Sequence, residues 1–295
     1  MHTVGLSWQH SFEVAAIVAT AGGAGALAKD TRVRAAAAFV REVAVIGALY
    51  GLWQLAGKLS LHDTGDAYGR ARWIERAQNN LLLSQHGVQH LILGHKLIVQ
   101  TANLYYATMH FTMMFVFLLW LFWRHRDRYR PVRQVMAWTT LGCLLIQLVP
   151  VAPPRMLPGY TDTAELYGQS VYSAGIVTDQ LSAMPSVHVA WCVIVGYYTW
   201  RIADSRWRFL GPLHAAITIF VVAATANHWW LDGIVATGVL VVAAWSVKGV
   251  SIAWRVLRAR YAATVLVSEP EFDPTGFDPT APDSSVLPNS AAQTP

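Results

Sequence analysis

Leu118-Leu119-Trp120-Leu121-Phe122-Trp123 runs directly into Arg124-His125-Arg126-Asp127-Arg128-Tyr129-Arg130-Pro131-Val132-Arg133. The first six residues close an apolar stretch covering 99–123, long enough as a helix to cross a hydrocarbon core of about 30 Å. The ten that follow carry five arginines. Short loops dense in Lys and Arg stay on the cytoplasmic side of a membrane, so this junction both marks a span and orients it.

Working outward from it, the next span, about 134–152, exits to the other side. The 153–184 loop there holds Asp162, Glu165 and Asp179 against a single base, Arg155. The chain re-enters at Pro185 and emerges near Arg201, where Arg201, Arg206 and Arg208 mark a second cytoplasmic loop. A span ending near Ala226 leads out again, and the last runs from about Trp229 to Lys248, with Arg255, Arg258 and Arg260 inside. Upstream, residues 35–57 read as a span entered from the basic side of Lys29, Arg32, Arg34 and Arg41. Residues 60–98 are amphipathic and predict helices lying along the membrane or packed over the bundle. Residues 11–28, rich in Ala and Gly, fit a further span, an uncleaved signal anchor or an interfacial helix. The expected architecture is an all-α polytopic membrane bundle of six or seven transmembrane helices.

The composition agrees with that class and excludes others. Hydrophobic residues make up 54% of the 295-residue chain and charged ones only 13%, outside the range of soluble domains. The 13 tryptophans fit interfacial anchoring. Cys143 and Cys192 both fall in apolar spans, so no disulfide framework is implied. From Ser268 onward the chain has five acidic residues and no Lys or Arg, which leaves the body basic beyond the formal net charge of +5. These bases flank spans, which makes them topology signals rather than a nucleic-acid footprint. The tail repeats Phe-Asp-Pro-Thr at 272–275 and 277–280 and cannot bury enough apolar surface to fold. The expected domains are an N-terminal segment 1–34 with room for an extra span, a membrane-embedded body 35–260, and a disordered, acidic, Pro-rich cytoplasmic tail 261–295.

Three polar clusters fall at the extracytoplasmic ends of these spans. In Ala183-Met184-Pro185-Ser186-Val187-His188, Pro185 suits a first helical position. The free amides of a first turn make an anion seat, to which Ser186 adds a hydroxyl and His188 a titratable ring. In Asn227-His228-Trp229-Trp230-Leu231-Asp232, His228 and Asp232 are four apart and share a helix face, so the carboxylate can hold one imidazole nitrogen as N–H. Pro153-Pro154-Arg155 supplies a cation past the end of another span. Asn103, Tyr106 and His110 recur at helical spacing, suited either to interhelical hydrogen bonding or to contact with a substrate. His86, His90 and His95 raise a metal-site reading, against which stands the absence of a nearby acid or Cys in sequence.

Together, in this order, the three clusters resemble the type 2 phosphatidic acid phosphatase superfamily. The resemblance covers roughly residues 40 to 255 and is closer to the branch containing inositol phosphorylceramide synthase. Pro150-Val151-Ala152-Pro153-Pro154-Arg155, Met184-Pro185-Ser186-Val187-His188 and His228-Trp229-Trp230-Leu231-Asp232 stand in the places of its motifs. Val187 replaces the Gly of the wider superfamily, Val222 stands where an Arg is expected, and no Lys precedes Arg155 at the usual distance.

The resemblance implies a metal-independent phosphohistidine route with no cofactor. His228 would attack phosphorus, Asp232 would orient it, His188 would move the proton, and Arg155 and Ser186 would bind phosphate. Asn103, Tyr106, His110 and Asn227 are candidate substrate contacts. The expected substrate is a lipid phosphate or phospholipid, and the acceptor either water or, with a slight lean toward transfer, a polyol or lipid alcohol. The expected location is the plasma membrane with the site extracytoplasmic. Two rivals remain: a non-enzymatic transporter or scaffold, and a metal-dependent membrane oxidase built on the His86 group.

Overall fold

In the computed structural model the described residues are 7–60, 66–170 and 180–268. They divide into two compact units, one ending at Lys248 and one beginning at Gly249. The first unit is helical, and its helices are α1 (Trp8–Ala26), α2 (Thr31–Ser60), α3 (Ala67–Asn80), α4 (Gln85–Leu93), α5 (Lys96–Arg124), α6 (Arg126–Gln147), α7 (Thr163–Leu166), α8 (Val187–Ile202), α9 (Leu210–Ala224) and the start of α10 (Trp230–Ser268). The second unit continues α10, and its described side chains through Ala259 are all exposed. Asp179 and residues 269–295, which hold the acidic repeats, lie outside the described residues.

Four helical stretches are long and apolar enough to cross a membrane: Thr31–Leu52, Lys96–Arg124, Arg206–Ala224 and Trp230–Ala259. This makes the chain an integral membrane protein. α8 has only 16 residues, and α6 spends its first two turns on arginines. The arginine-rich stretch is therefore not a loop. Only His125 breaks the chain between α5 and α6, because Arg126–Arg130 contains no Gly and consists largely of residues content in a helix. Tyr129 and Arg133, on those turns, both bond Glu42 of α2, Tyr129 through its hydroxyl at 3.0 Å. Removing one partner of such a part-buried group leaves the others unsatisfied. Glu42→Ala is accordingly expected to destabilise the bundle by about 1–3 kcal/mol, seen as a lower thermal midpoint in detergent.

The core of the bundle gathers Phe117, Leu118 and Leu121 of α5, Val132, Val135 and Met136 of α6, Ile194 and Val195 of α8, and Leu240 of α10. α8 and α9 approach closely through a glycine pair. A Cβ on Gly211 would lie 3.0 Å from the Gly196 carbonyl oxygen, so small residues set this spacing, as they do in many membrane helix pairs. The amphipathic 60–98 region resolves into α3 and α4, which pack over one end of the bundle. Ala71 and Ile74 of α3 share a buried cluster with Val151, Ala152, Leu157, Ala183 and Trp229. Ile92 of α4 joins Val99, Ala102, Val221 and Ala224. That covered end is where the polar clusters meet.

Two backbone bonds tie the Arg155 segment to the His188 segment. Val151 N–H donates to the Leu181 carbonyl at 2.6 Å and Ala183 N–H to the Val151 carbonyl at 3.2 Å, around an isolated bridge between Val151 and Ser182. The Arg70 guanidinium donates to the Pro150 carbonyl at 2.6 Å, and the Trp229 indole N–H to the Ala152 carbonyl at 3.0 Å. Four stretches far apart in sequence are thus fixed to one another by main-chain acceptors.

Candidate active site

α8 begins at Val187, two residues later than a first helical residue at Pro185 requires. Ser186 is its N-cap, and its hydroxyl accepts the Val189 N–H at 3.3 Å. A short polar side chain that bonds the first-turn amides outcompetes Pro for the start of the helix. Ser186 is fully buried, and its own N–H donates to the Asp232 carbonyl at 3.2 Å. The start of α8 and the start of α10 are therefore joined directly.

His228 sits in the turn between α9 and α10. That turn passes through Ala226, whose φ of +55° is the left-handed conformation that non-Gly residues seldom take. The Ala226 carbonyl accepts the Arg155 N–H at 2.9 Å, and the Gln85 side chain donates to the carbonyls of Ala223 at 2.7 Å and His228 at 3.1 Å. The turn is braced from α4 and from the Arg155 segment.

His228 Nδ1 lies 2.8 Å from the Ala183 carbonyl oxygen and 3.5 Å from Asp232 Oδ2. A carbonyl only accepts, so Nδ1 carries the proton and the lone pair of the neutral ring is on Nε2. That nitrogen faces His188 Nδ1 at 3.2 Å. The sequence spacing assigns the orienting role to Asp232, and the structure adds a nearer partner, the Ala183 carbonyl. Asp232 is fully buried, and its Oδ2 also accepts the Trp229 N–H at 2.7 Å. The carboxylate holds both the ring and the turn that carries it.

Arg155 is buried beside them. Its Nε donates to Asn227 Oδ1 at 3.0 Å and its Nη1 stands 3.5 Å from Asp162 Oδ2. Asn227 in turn donates to Thr225 Oγ1 at 2.8 Å, while Asp162 caps α7 through the amides of Ala164 and Glu165. The guanidinium fork is therefore aimed by two flanking acceptors, a geometry a lysine cannot copy. With the phosphate-binding role that the resemblance implies for Arg155, Arg155→Lys is expected to lower kcat/KM by about 10²-fold, within the range found for losing one charge-stabilising donor. Steady-state kinetics against wild type would check it.

The remaining candidates separate. Tyr106 stacks on His188 with ring centroids 4.6 Å apart, and His110 lies 4.0 Å from the same ring. Asn103 is engaged elsewhere. Its side chain donates to the Thr163 carbonyl at 2.9 Å and Gln169 Oε1 at 3.1 Å and accepts the Thr163 hydroxyl at 2.8 Å, tying α5 to α7. Ala183, Asp162 and Gln85 are the residues that motif reading missed, and a backbone carbonyl leaves no mark in a sequence.

His86, His90 and His95 do not gather. His86 stacks on Tyr160 with centroids 3.9 Å apart and faces Glu75 at 3.5 Å. Burial, and after it the Glu75 carboxylate, push the Tyr160 phenol above its ordinary range. Among the described residues no three His, Cys, Asp or Glu side chains come together as a metal site.

Val222, at the position where the resemblance expects an Arg, is buried. It lines an apolar cleft of about 310 Å³ shared with Val189, Ala223, Trp229, Trp230 and Gly233. Its carbonyl receives the N–H groups of Asn227 and His228 at 3.1 and 3.2 Å. The backbone at 222 thus holds the turn that carries His228, while its side chain lines the apolar cleft.

Two facing histidines, a buried carboxylate behind one of them and a buried arginine beside them thus come together in a helical membrane protein. The family model of the PAP2 superfamily matches residues 72–246, a stretch that contains every one of these groups, and the chain belongs to that superfamily. It is a phosphatase superfamily, which makes lipid phosphates or phosphate esters the substrate class to consider. No curated protein and no solved structure matches the chain.

Proposed function

We propose that the protein removes or transfers a phosphoryl group from a lipid phosphate through a phosphohistidine on His228, at the extracytoplasmic face of the plasma membrane. The observation that carries this is the pairing of His228 with a fixed acceptor behind it and a second imidazole before it. With Nδ1 held as N–H by the Ala183 carbonyl and Asp232, Nε2 presents its lone pair to phosphorus. His188 protonates the leaving oxygen and then takes a proton from the incoming acceptor. Arg155 offers positive charge to the equatorial oxygens, with Ser186 and the first amides of α8 beside it. Asp232 stabilises the imidazolium character that develops as the N–P bond forms. When the phosphoryl group leaves His228 for water the protein is a phosphatase, and for an alcohol it is a phosphotransferase. The departure of Val222 from the expected Arg lowers the positive charge at the site and favours a phosphodiester donor, hence transfer to a polyol or lipid alcohol, the chemistry of the inositol phosphorylceramide synthase-like branch.

The test uses purified protein in detergent with chelator present, given lipid phosphates and phosphodiesters with and without polyol acceptors, and reads lipid products by mass spectrometry. Free phosphate indicates hydrolysis, and a phosphorylated acceptor indicates transfer. No turnover of any donor by wild type would favour a transporter or scaffold instead.

In this reading α1, α2, α5, α6, α8, α9 and α10 make a bundle of six or seven spans, with the 153–184 segment outside. Glu165 and Arg130 are both exposed, whereas Cys143 and Cys192 are buried. In intact cells a membrane-impermeant maleimide is expected to label a Glu165→Cys protein, and an Arg130→Cys protein only after permeabilisation. The reverse pattern would put the site in the cytoplasm.

A further inference from the structure

Four aromatic rings form one column through His188. Tyr106 stacks on one face of His188 with centroids 4.6 Å apart and planes 18° from parallel. His110 covers another part of the ring at 4.0 Å, tilted by 36°. Trp191 then stacks on His110 at 4.6 Å and 1°. The foot of the column is pinned, because the Trp191 indole N–H donates to Thr140 Oγ1 at 2.8 Å and that hydroxyl donates to the Met136 carbonyl at 2.8 Å. Tyr106 and His110 are one turn apart on α5, while His188 and Trp191 are one turn apart on α8. Two helices therefore interleave their rings, and the Nδ1 edge of His188 lies 3.2 Å from His228 Nε2.

That contact lies on the path of the chemistry. A phosphorus atom approaching His228 Nε2 along its lone pair meets His188 first, so an entering phosphoryl group displaces it. A ring packed between flat neighbours can slide or turn within its own plane and keep its contacts, whereas tilting breaks them.

We propose that Tyr106, His110 and Trp191 are positioning residues that confine the His188 imidazole to in-plane movement. His188 then yields to the phosphoryl group with its N–H edge still aimed at the leaving oxygen. This rests on the reading of His188 as the proton donor. It differs from a substrate-contact role for Tyr106 and His110, because it acts through the ring faces packed on His188.

The two roles separate experimentally in the full-length protein. Tyr106→Leu and His110→Leu remove a ring at similar bulk, whereas Tyr106→Phe and His110→Phe keep one. Each variant is assayed for kcat and KM on a lipid phosphate that wild type turns over. In parallel, carbethoxylation of His188 by diethyl pyrocarbonate is timed by peptide mass spectrometry, a readout that needs no turnover. The Leu variants are expected to lose about 10²-fold in kcat, the scale of misplacing a reacting group by an ångström. KM should stay within about twofold, since ground-state binding is untouched. The Phe variants should recover most of the loss, and His188 should be modified several-fold faster in the Leu proteins only. Phe variants as impaired as Leu variants, with raised KM, would show that the polar atoms meet substrate and overturn the proposal. So would equal labelling rates in all five proteins. If wild type turns over no lipid phosphate, the functional reading fails, while the labelling rates still decide the column.

Discussion

Replacing His228 with alanine is expected to lower turnover by at least about 10⁴-fold, because on the proposed route it removes the covalent nucleophile and leaves only binding and charge stabilisation to act. The geometry makes the loss specific to the chemistry. His228 Nδ1 is tied to the Ala183 carbonyl and Asp232 behind it, and no other described imidazole has a backbone acceptor on one nitrogen and the second nitrogen facing a histidine. The turn itself is held by contacts that alanine keeps: the Gln85 bond to the residue-228 carbonyl, the Arg155 amide on Ala226, and Asp232 on the Trp229 amide. The variant should therefore extract and unfold much like wild type while losing activity. Retained product formation would remove His228 from the mechanism, and a collapsed thermal midpoint would give it a structural role instead.

His188→Ala is the second large effect, and its size should depend on the leaving group. Proton transfer by a placed side chain is worth about 10²–10⁴-fold. An alkoxide leaves poorly without a proton, so a lipid phosphate should show the full loss. A nitrophenolate leaves well unaided, so a nitrophenyl phosphate should lose far less. Measuring both donors on one preparation cancels differences in folding and active fraction. Equal losses on the two would mean that His188 acts in binding or in supporting His228, to which it stands at 3.2 Å, rather than as the acid.

Much of this architecture could be read from residues alone, for definable physical reasons. Apolar stretches and flanking arginines follow from the solvent, so α5, α9 and α10 are legible in the residues alone. His228 and Asp232 stood out because ionisable groups four apart at the end of a span are costly unless used. Boundaries were less visible. α6 starts at Arg126, inside the arginine-rich stretch, because helical propensity there is high and charge alone does not stop a helix. α8 starts at Val187 because Ser186 caps it.

Partners were the least visible. Helical periodicity puts Asn103, Tyr106 and His110 on one face but says nothing of what that face meets. Two of them pack against His188, whereas Asn103 reaches Thr163 and Gln169. The bracing of His228 by Gln85 spans 143 positions, and its Nδ1 acceptor is a backbone carbonyl 45 positions away. Neither contact has a sequence signature, since any residue type offers that carbonyl. The amphipathic 60–98 region likewise could not say whether its apolar side met lipid or protein. Here it buries Ala71 and Ile74 against the loops that carry the site, and Ile92 against α5 and α9.

The central claim is that phosphate passes through a covalent bond to His228, and the direct measurement is to trap that bond. Full-length protein in detergent, with chelator present, is mixed with a lipid phosphate and quenched in alkali, where phosphohistidine survives. Its peptides are then mapped by mass spectrometry. The expected result is a phosphoryl adduct on His228 in wild type that is absent from His228→Ala. Product release by wild type with no adduct on any histidine, continuing in His228→Ala, would contradict the account.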